Sequence, residues 1–329
     1  MTEHVINLGD DIYYQDAYAA LYESNDGELF NFVFQQAENK IIFRSIKRQI
    51  TQVAGIPVTE ELYDLETPYG YGGPLTNCYD SAFLTVAFAA YKAECIKQHI
   101  VCEFIRFHPF NPLTQHDECF DFFCQERQVV IVDLTLEQPE RWSKYSKTTR
   151  NIIRKTQKVL TRHQADDAMD DFLNLYQQTM DKNQAAEFYY FDRDYFNQLS
   201  AIPGVELLAV KLADEHVSMG FFMQTGELAH YHLSANNSEL LRENGNYALL
   251  DFAFERAQQN GCKWMMLGGG RTSASDDSLF KFKTKFSDHI KPFYIAGLDF
   301  MPEKRAELNK LWASKHKDDP RKMFQLYRA

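Results

Sequence analysis

The 329-residue sequence lacks the short signatures of several common enzyme classes. It contains no P-loop, no G-x-S-x-G motif and no H-x-x-x-H or C-x-x-C pair. It therefore offers no sign of an NTPase loop, a serine-hydrolase elbow or a zinc site, and we predict no bound metal. The cysteines have no paired spacing and are interpreted as reduced, mostly buried thiols: Cys78, Cys95, Cys102, Cys119, Cys124 and Cys262.

Long apolar runs are also missing from the chain. No stretch of 18 or more apolar residues occurs, which predicts that there is no transmembrane helix. The first residues, MTEHVINLGDD, carry no basic region followed by an apolar stretch, so we expect a cytoplasmic protein without a signal peptide. The net charge of −11 argues against a protein that binds nucleic acid over its whole surface.

Apolar and aromatic residues, in contrast, are abundant. They make up 45% and 14% of the chain, enough to build large cores, and the length suffices for two domains of ordinary size. Helical and alternating apolar patterns follow one another in both halves, which predicts a mixed α/β fold with mostly antiparallel sheets flanked by helices. We place an N-terminal domain at residues 1–136 and a C-terminal domain at 137–301. The last segment, 302–329, is expected to pack back on the N-terminal domain as a helix.

One segment departs from the acidic average of the chain. Residues 141–162 contain basic side chains and no acidic one, and residues 137–160 are predicted to form one long helix that connects the domains. Such a run is typical of a solvated helix face, and it also suits the phosphates of a tRNA. The basic residues are Arg141, Lys144, Lys147, Arg150, Arg154, Lys155, Lys158 and Arg162.

A turn at residues 242–247 is a candidate for binding an acyl donor. The letters RENGNY place a glycine at a helix start, where backbone N–H groups attract an anion. The spacing of Arg242 and Gly245 resembles the Q/R-x-x-G-x-G/A motif with which GNAT acyltransferases hold the pyrophosphate of coenzyme A. Tyr247 stands where that motif has a second small residue, so an ordinary helix start remains the alternative.

A larger set of motifs resembles the Fem family of non-ribosomal peptidyltransferases, which is related to the GNAT acyltransferases. The motifs are HYHLSA, GNYALLDFAFERA, LGGG and DDSLFKFKTKF. The segments KYSKTTRNIIRKTQK and RDYFNQL resemble further parts of the family, so the resemblance covers roughly residues 135–300. The residues at matching places are Gly245, Tyr247, Leu249, Gly268, Gly269, Phe282 and Lys283.

The resemblance implies two GNAT-like domains in tandem, of which the first is more divergent, and no coiled-coil arm. It implies that an amine attacks an ester or thioester carbonyl, a reaction that needs oxyanion stabilisation more than a nucleophilic side chain. By the same resemblance Lys283 is the catalytic residue that stabilises the oxyanion. On a helix, only one of Lys281, Lys283 and Lys285 can point into a site. Three solvated lysines beside buried phenylalanines are the alternative.

Aromatic loops supply the candidates for binding an acceptor. In ETPYGYGGP, residues 66–74, tyrosines flank a glycine and suit stacking on a sugar or nucleobase, and the alternative is an aromatic turn that covers the core. Arg106 suits a phosphate or carboxylate. The predicted substrate-binding residues are Glu66, Tyr69, Gly70, Tyr71, Arg106, Tyr189, Tyr190, Tyr195 and Tyr231. The predicted donor-binding residues are Arg242, Gly245, Asn246, Tyr247, Gly269 and Gly270.

These features predict an acyltransferase that moves an acyl or aminoacyl group onto an amine of a cell-envelope precursor, either a muropeptide or an amino sugar of a surface glycan. Phe191 stands where Fem enzymes with a UDP-linked muropeptide have an arginine, which argues against that acceptor. The donor is expected to be aminoacyl-tRNA, bound through residues 141–162, or acyl-CoA, with no tightly bound cofactor. The acceptor is expected to be a small molecule or a nucleotide sugar. An acetyl-CoA-dependent N-acetyltransferase and a non-catalytic glycan-binding module are the alternatives.

Overall fold

The computed structural model describes residues 6–23, 27–274 and 276–329, which form two compact units. Unit I comprises the residues up to Ile12 together with Arg127–Lys291, and unit II comprises Tyr13–Glu126 together with Pro292–Ala329. The limits at 126/127 and 291/292 fall inside two strands. The boundaries predicted from the sequence, 136/137 and 301/302, differ from these limits. They were placed at the ends of strands, where the apolar pattern of the sequence changes.

The predicted mixed α/β class is confirmed. The helices are α1 (Asp16–Ala19), α2 (Ser81–Lys97), α3 (Gln138–Ser143), α4 (Lys147–Val159), α5 (Met169–Asn183), α6 (Arg193–Ser200), α7 (Gly245–Gln259), α8 (Ser278–Lys283) and α9 (Pro302–Lys315). The strands are β1 (Gly27–Gln36), β2 (Asn39–Gln49), β3 (Gln52–Val53), β4 (Ile56–Pro57), β5 (Tyr63–Glu66), β6 (Leu75–Thr76), β7 (Ile100–Arg106), β8 (Phe122–Asp133), β9 (Thr161–Gln164), β10 (Val205–Leu212), β11 (Glu215–Thr225), β12 (Leu228–Asn236), β13 (Trp264–Gly268) and β14 (Ile290–Asp299). Among the helices that the structure describes, none has the length and apolar character that a membrane crossing requires.

Unit II is built on a mostly antiparallel sheet. Its long hairpin of β1 and β2 continues through β5 to β7, which pairs parallel with β5 and antiparallel with β14. Helix α2 covers this sheet, because its buried face, with Phe83, Leu84 and Tyr91, joins the apolar side chains of the strands in one core. At the other end of the sequence, Trp312 of α9 packs into a second cluster with Ile50 and Val101.

A carboxyl group lies in the core of unit II. Glu103 of β7 is buried and accepts hydrogen bonds from the hydroxyl groups of Tyr91, at 2.9 Å, and of Ser45. Burial raises the pKa of Glu103 to about 7, and the two hydrogen bonds oppose this effect without cancelling it. The side chain is therefore mostly protonated in the folded protein at slightly acidic pH.

We expect Glu103 to make the stability of the protein depend on pH. An unfolded glutamate loses its proton at about pH 4.3, whereas folded Glu103 keeps its proton to about pH 7. Between these values the folded state binds more protons, so the stability that Glu103 contributes below this window is lost as the pH rises through it. In chemical denaturation, the unfolding free energy of the wild type minus that of Glu103→Gln should fall across this window. A difference that stays constant across this window would contradict the expectation.

In unit I the strands follow the order β8, β13, β12, β11, β10 and β9. All neighbouring pairs are antiparallel except β12 and β13, which are parallel. On one face, α7 packs on β10 and β11 through Leu208, Val217 and Phe254. On the other face, the rings of Phe172 in α5 and Phe196 in α6 contact Phe221 of β11 at 4.9 and 5.4 Å.

The single long helix predicted for residues 137–160 is wrong. Helix α3 ends at Ser143, and α4 begins at Lys147 because the Ser146 hydroxyl accepts the backbone N–H of Thr149 and so caps a new helix. Helix α4 then buries Ile153 against the core that includes α7. The break gives the basic segment two separate helices rather than one continuous connector.

Candidate active site

The parallel strands β12 and β13 pair along only part of their length. The pairing ends at His230 and Met266. At the next residues β12 has a β-bulge, in which His232 is the extra residue opposite β11. Bulges are frequent beside active sites, because they turn side chains away from the regular pleat. We call the region beyond the last paired residues, formed by residues 231–234 and 268–270, the strand gap.

A glycine turn forms one side of the strand gap. Gly268 has a φ of +75°, which favours glycine. A Cβ atom on Gly269 would lie 2.7 Å from Arg127 Cδ and 2.8 Å from the carbonyl oxygen of Gln128, so the turn passes directly over β8. A Cβ on Gly270 would overlap the carboxylate of Asp277. Close packing against Arg127, Gln128 and Asp277 thus accounts for the predicted donor-binding residues Gly269 and Gly270, and their role toward a donor stays a prediction.

Lys283 lies at the strand gap. Its side chain is only 7% exposed, and Nζ donates to the carbonyl oxygen of Gly269 at 2.7 Å and stands 5.7 Å from the ring centre of Tyr231. Burial lowers the pKa of Lys283 to about 7, the charge of Arg127 adds to the lowering, and Asp277 opposes it. Asp277 also starts helix α8, since its carboxylate accepts the backbone N–H groups of residues 279 and 280.

The neighbouring lysines point elsewhere. Lys281 is exposed, and Lys285 donates to the hydroxyl group of Tyr247 at 2.8 Å. Of the three alternating lysines only Lys283 is buried, so the alternative of three solvated lysines is wrong for this residue. A buried cation with a pKa near neutrality is a frequent property of functional sites, and it agrees with the predicted catalytic role without testing it.

Tyr231 and Tyr195 lie on different sides of the bulge on β12. The Tyr231 ring stacks on Phe222 with ring centres 5.4 Å apart, and it packs against the apolar core that includes α7. Burial raises the pKa of Tyr231. Tyr195 of α6 has its hydroxyl oxygen 2.9 Å from Nε2 of His232. Burial lowers the pKa of His232 to about 3, with His230 adding to the effect, so this imidazole is neutral at physiological pH.

An aromatic segment precedes α6. Phe188, Tyr189 and Tyr190 are 54%, 38% and 39% exposed, although apolar rings of this size are usually buried. Phe191 stacks on Tyr195 with ring centres 4.1 Å apart, which connects the segment to the pair of Tyr195 and His232. Tyr189 and Tyr190 therefore present aromatic surface to solvent, as a residue that stacks on an acceptor requires.

The predicted anion-binding turn is a tightly packed helix start. Asn244 has a φ of +57°, and helix α7 begins at Gly245, where a Cβ would lie 2.6 Å from Cγ1 of Val217. Arg242 is exposed and Asn246 half-buried, whereas Tyr247 is buried with its ring 5.1 Å from Phe282. Close packing on β11 explains why residue 245 is a glycine. The position of Tyr247 agrees with the alternative interpretation, an ordinary helix start.

The other predicted substrate residues lie in unit II. Arg106 forms an ion pair with Glu66 at 2.5 Å, and Glu66 also binds Arg48. Burial alone would raise the pKa of Glu66, but the two arginines lower it. Tyr71 is buried, with ring contacts to Tyr13, His108 and Phe293, as expected for a turn that covers the core.

Gly70, also in this loop of unit II, has a φ of +104°. The carbonyl oxygen of its neighbour Tyr69 accepts a hydrogen bond from Tyr18 at 2.7 Å. These contacts account for the order of the loop without a ligand, and the roles assigned to the loop from the sequence stay predictions.

Several site residues were not found from the sequence. Arg127 donates to the carbonyl oxygen of Gly270 at 2.7 Å, and no local sequence pattern in β8 predicts this contact. Asp277 could have been recognised as an N-cap, because an acidic residue precedes a short apolar helix. Nor does any local pattern predict the carboxylate partner of His230, whose Nε2 lies 2.5 Å from Asp11, 219 residues away in sequence.

The basic residues of 141–162 divide into two groups. Arg141 is buried, Arg150 donates to the carbonyl oxygen of Tyr145 at 2.5 Å, and Arg162 pairs with Glu255 at 3.1 Å. These three have structural partners. The remaining cations are exposed on α4 and just before it: Lys144, Lys147, Arg154, Lys155 and Lys158. We call these five residues the basic face.

Comparison with known proteins supports the interpretation of this region. Residues 143–283, which include α4, the strand gap and Lys283, match the family model of the acetyltransferase (GNAT) domain. No curated protein matches the sequence.

Among solved structures, the crystal structure of FemX has 12% identity, a TM-score of 0.70, and coverage of 92% of this chain and 94% of that chain. The C-terminal domain of a putative lysylphosphatidylglycerol synthetase from Agrobacterium fabrum has 16% identity, coverage of 92% of each chain and a TM-score of 0.58. The L-PGS structure from Bacillus licheniformis has 17% identity, coverage of 88% of each chain and a TM-score of 0.53. At such identities the likeness is one of fold, and the resemblance predicted from the motifs is confirmed at that level.

Proposed function

We propose that the protein transfers an aminoacyl group from tRNA to an amine of a cell-envelope precursor. Its acyltransferase activity is supported by the match of residues 143–283 to the family model of the acetyltransferase (GNAT) domain. The observation that carries the proposal is the position of Lys283, a buried amine at the strand gap within the matched domain. A muropeptide or an amino sugar of a surface glycan would be the acceptor. Aminoacyl-tRNA is a cytoplasmic substrate, so the proposal places the protein in the cytoplasm.

The proposed reaction is an aminolysis of an ester. The free acceptor amine attacks the carbonyl carbon, the new C–N bond forms, and the carbonyl oxygen becomes an oxyanion. The oxyanion then collapses, the ester C–O bond breaks, the tRNA hydroxyl takes up a proton, and the amine nitrogen loses one. The protonated Lys283 amine, whose nearest acceptor is the Gly269 carbonyl oxygen at 2.7 Å, would exchange that neutral acceptor for the developing negative charge. This interaction is stronger in the transition state than in the ground state and therefore raises the rate.

The exposed aromatic segment supports the proposed binding of an acceptor. Tyr189 and Tyr190 offer flat rings with hydroxyl groups, which suit the apolar faces and hydroxyls of a sugar. The hydroxyl of Tyr190 donates to Asp181 at 3.0 Å, which fixes its ring. In this proposal the two tyrosines bind the acceptor, while Tyr195 and Tyr231 border the strand gap.

Two observations favour aminoacyl-tRNA over acyl-CoA as the donor. The basic face offers five exposed cations on a chain with a net charge of −11, and clustered cations bind phosphate backbones. The Gly245 turn, which would hold a pyrophosphate in the rival interpretation, packs its glycine on Val217 and buries Tyr247. An acetyl-CoA-dependent enzyme should bind acetyl-CoA with sub-micromolar affinity in calorimetry. We expect weak or no binding.

We expect the double substitution Lys155→Glu and Lys158→Glu to weaken tRNA binding. Two lost phosphate contacts should lower the slope of log K against log salt by roughly 1.5–2. Binding should be measured by fluorescence anisotropy between about 50 and 200 mM salt, a range in which phosphate contacts change affinity strongly. The double substitution Lys317→Glu and Lys322→Glu, at exposed positions in unit II, changes the net charge equally and serves as the control. Equal losses in both variants would show that only net charge matters, and a glycan-binding module should bind no tRNA.

Transfer itself is tested with labelled aminoacyl-tRNA. Incubation with peptide and amino-sugar acceptors, followed by mass spectrometry of the acceptor, should reveal an added aminoacyl group on the amine. If the label moves only from acetyl-CoA, the protein is an N-acetyltransferase. If an acceptor binds and no label moves from any donor, the proposed reaction is wrong.

A further inference from the structure

Arg127 lies where β8 enters unit I, beside the glycine turn. Its Nη1 atom donates to the carbonyl oxygen of Gly270 at 2.7 Å. Its aliphatic part lies so close to Gly269 that a Cβ there would stand 2.7 Å from Cδ. The side chain therefore contacts both glycines of the turn, one through a charged hydrogen bond and one through packing.

Two cations hold consecutive carbonyl groups in this turn. Arg127 binds the Gly270 oxygen and Lys283 binds the Gly269 oxygen, each at 2.7 Å. A carboxylate holds the next amide groups, because Asp277 accepts the N–H groups of Arg271 and Thr272 at 3.2 Å. When Lys283 leaves Gly269 for an oxyanion, as the proposed function requires, Arg127 and Asp277 are the contacts that keep the turn in place.

We propose that Arg127 is the positioning residue of the glycine turn: it fixes the Gly269 carbonyl group opposite Lys283 and thereby sets where the amine stands in the strand gap. The contacts of Arg127 stand by themselves, and only the catalytic consequence rests on the proposed function. The proposal separates two tasks in one site, since Lys283 would meet the reacting atoms while Arg127 would act only through the turn.

The charges around Lys283 give this arrangement a measurable signature. Arg127 of β8 faces the amine with a like charge, Asp277 at the start of α8 faces it with an opposite charge, and Tyr231 of β12 offers its ring. After burial, the charge of Arg127 is the larger influence that lowers the pKa of Lys283, and Asp277 raises it. Removing Arg127 should therefore raise this pKa, whereas an arginine whose charge lies away from the amine would leave it unchanged.

The test compares Arg127→Met, Arg127→Lys and the control Gln125→Met, an exposed position on the same strand. The first readout is the pH dependence of acetic anhydride labelling of Lys283 in the full-length protein, measured by peptide mass spectrometry. The second is kcat as a function of pH with aminoacyl-tRNA. Arg127→Met should move the labelling midpoint of Lys283 to higher pH and lower kcat roughly 10-fold to 100-fold, because a displacement of about 1 Å can cost this much.

Arg127→Lys should separate the charge from the hydrogen bond. The lysine keeps a positive charge beside Lys283, so the labelling midpoint should stay near that of the wild type. Its shorter side chain loses the hydrogen bond to the Gly270 carbonyl oxygen, so kcat should still fall. Unchanged midpoint and unchanged kcat in a folded Arg127→Met protein would overturn the proposal. A shifted midpoint with full activity in both Arg127→Met and Lys283→Met would support the placement of Arg127 and refute the proposed function instead.

Discussion

Replacing Lys283 with methionine is expected to lower kcat on the order of a hundredfold to a thousandfold, the usual effect of removing one oxyanion donor. Lys283 is buried at the strand gap and its Nζ has the Gly269 carbonyl oxygen as its acceptor, so methionine fills the same volume without donating a hydrogen bond. The KM for the acceptor should change much less, because the interaction strengthens in the transition state. Steady-state kinetics with the labelled donor measures both constants.

Lys281→Met is the matched control for this substitution, because Lys281 is exposed on the same short helix. It should retain nearly full activity. Equal losses in both variants, or no loss in either, would mean that Lys283 is not the oxyanion donor.

The loss of rate in Lys283→Met should not arise from unfolding. The pKa of Lys283 is lowered to about 7 in the folded protein, whereas an unfolded lysine titrates at about 10.4. The unfolded state therefore binds more protons between these values, so Lys283 destabilises the folded protein most below about pH 7 and ceases to do so above about pH 10.4. Methionine removes this penalty. At pH 7 the variant should be at least as stable as the wild type in chemical denaturation.

Gly269→Ala is expected to have the second large effect, on both stability and rate. The added methyl group would lie 2.8 Å from the carbonyl oxygen of Gln128, which is part of the β8 backbone and moves only with its strand. Overpacking of this kind costs about 1–3 kcal/mol of unfolding free energy. The turn must also move away from β8, so the Gly269 carbonyl leaves Lys283 and kcat should fall.

The control for this change is Gly9→Ala. Gly9 is exposed, and the new methyl group would meet only the end of the Asn7 side chain, at 3.3 Å. Its unfolding free energy should stay within about 0.5 kcal/mol of the wild type. If Gly269→Ala changes the unfolding free energy and kcat as little as Gly9→Ala does, the glycine turn does not pack closely on β8.

Local patterns allowed much of the fold to be predicted. The hairpin of β1 and β2, helix α2, the successive strands β10 to β12 and the following helix α7 all correspond to alternating or helical apolar patterns in the sequence. The break between α3 and α4 was missed because the periodicity continues across it, and only the capping contact of Ser146 shows where a helix restarts.

The site was less accessible to prediction, because its decisive contacts join distant parts of the chain. The motif around Lys283 indicated the residue, yet its burial depends on β12 and on the glycine turn. Arg127 binds the Gly270 carbonyl oxygen although the two residues are 143 positions apart in sequence. A glycine is required at position 245 because a larger residue would overlap Val217. A motif gives the residue type at a position, whereas these partners follow only from the register of the sheet.

A crystal structure with an unreactive donor analogue would test the central claim most directly. An adenosine with an amide-linked 3′-aminoacyl group stands in for the end of aminoacyl-tRNA and cannot be cleaved at an ester bond. Its carbonyl oxygen is expected in the strand gap, about 3 Å from Nζ of Lys283, with Arg127 still bound to the Gly270 carbonyl. An acyl carbonyl bound away from residues 231–234 and 268–270, with Lys283 still on Gly269, would contradict the account.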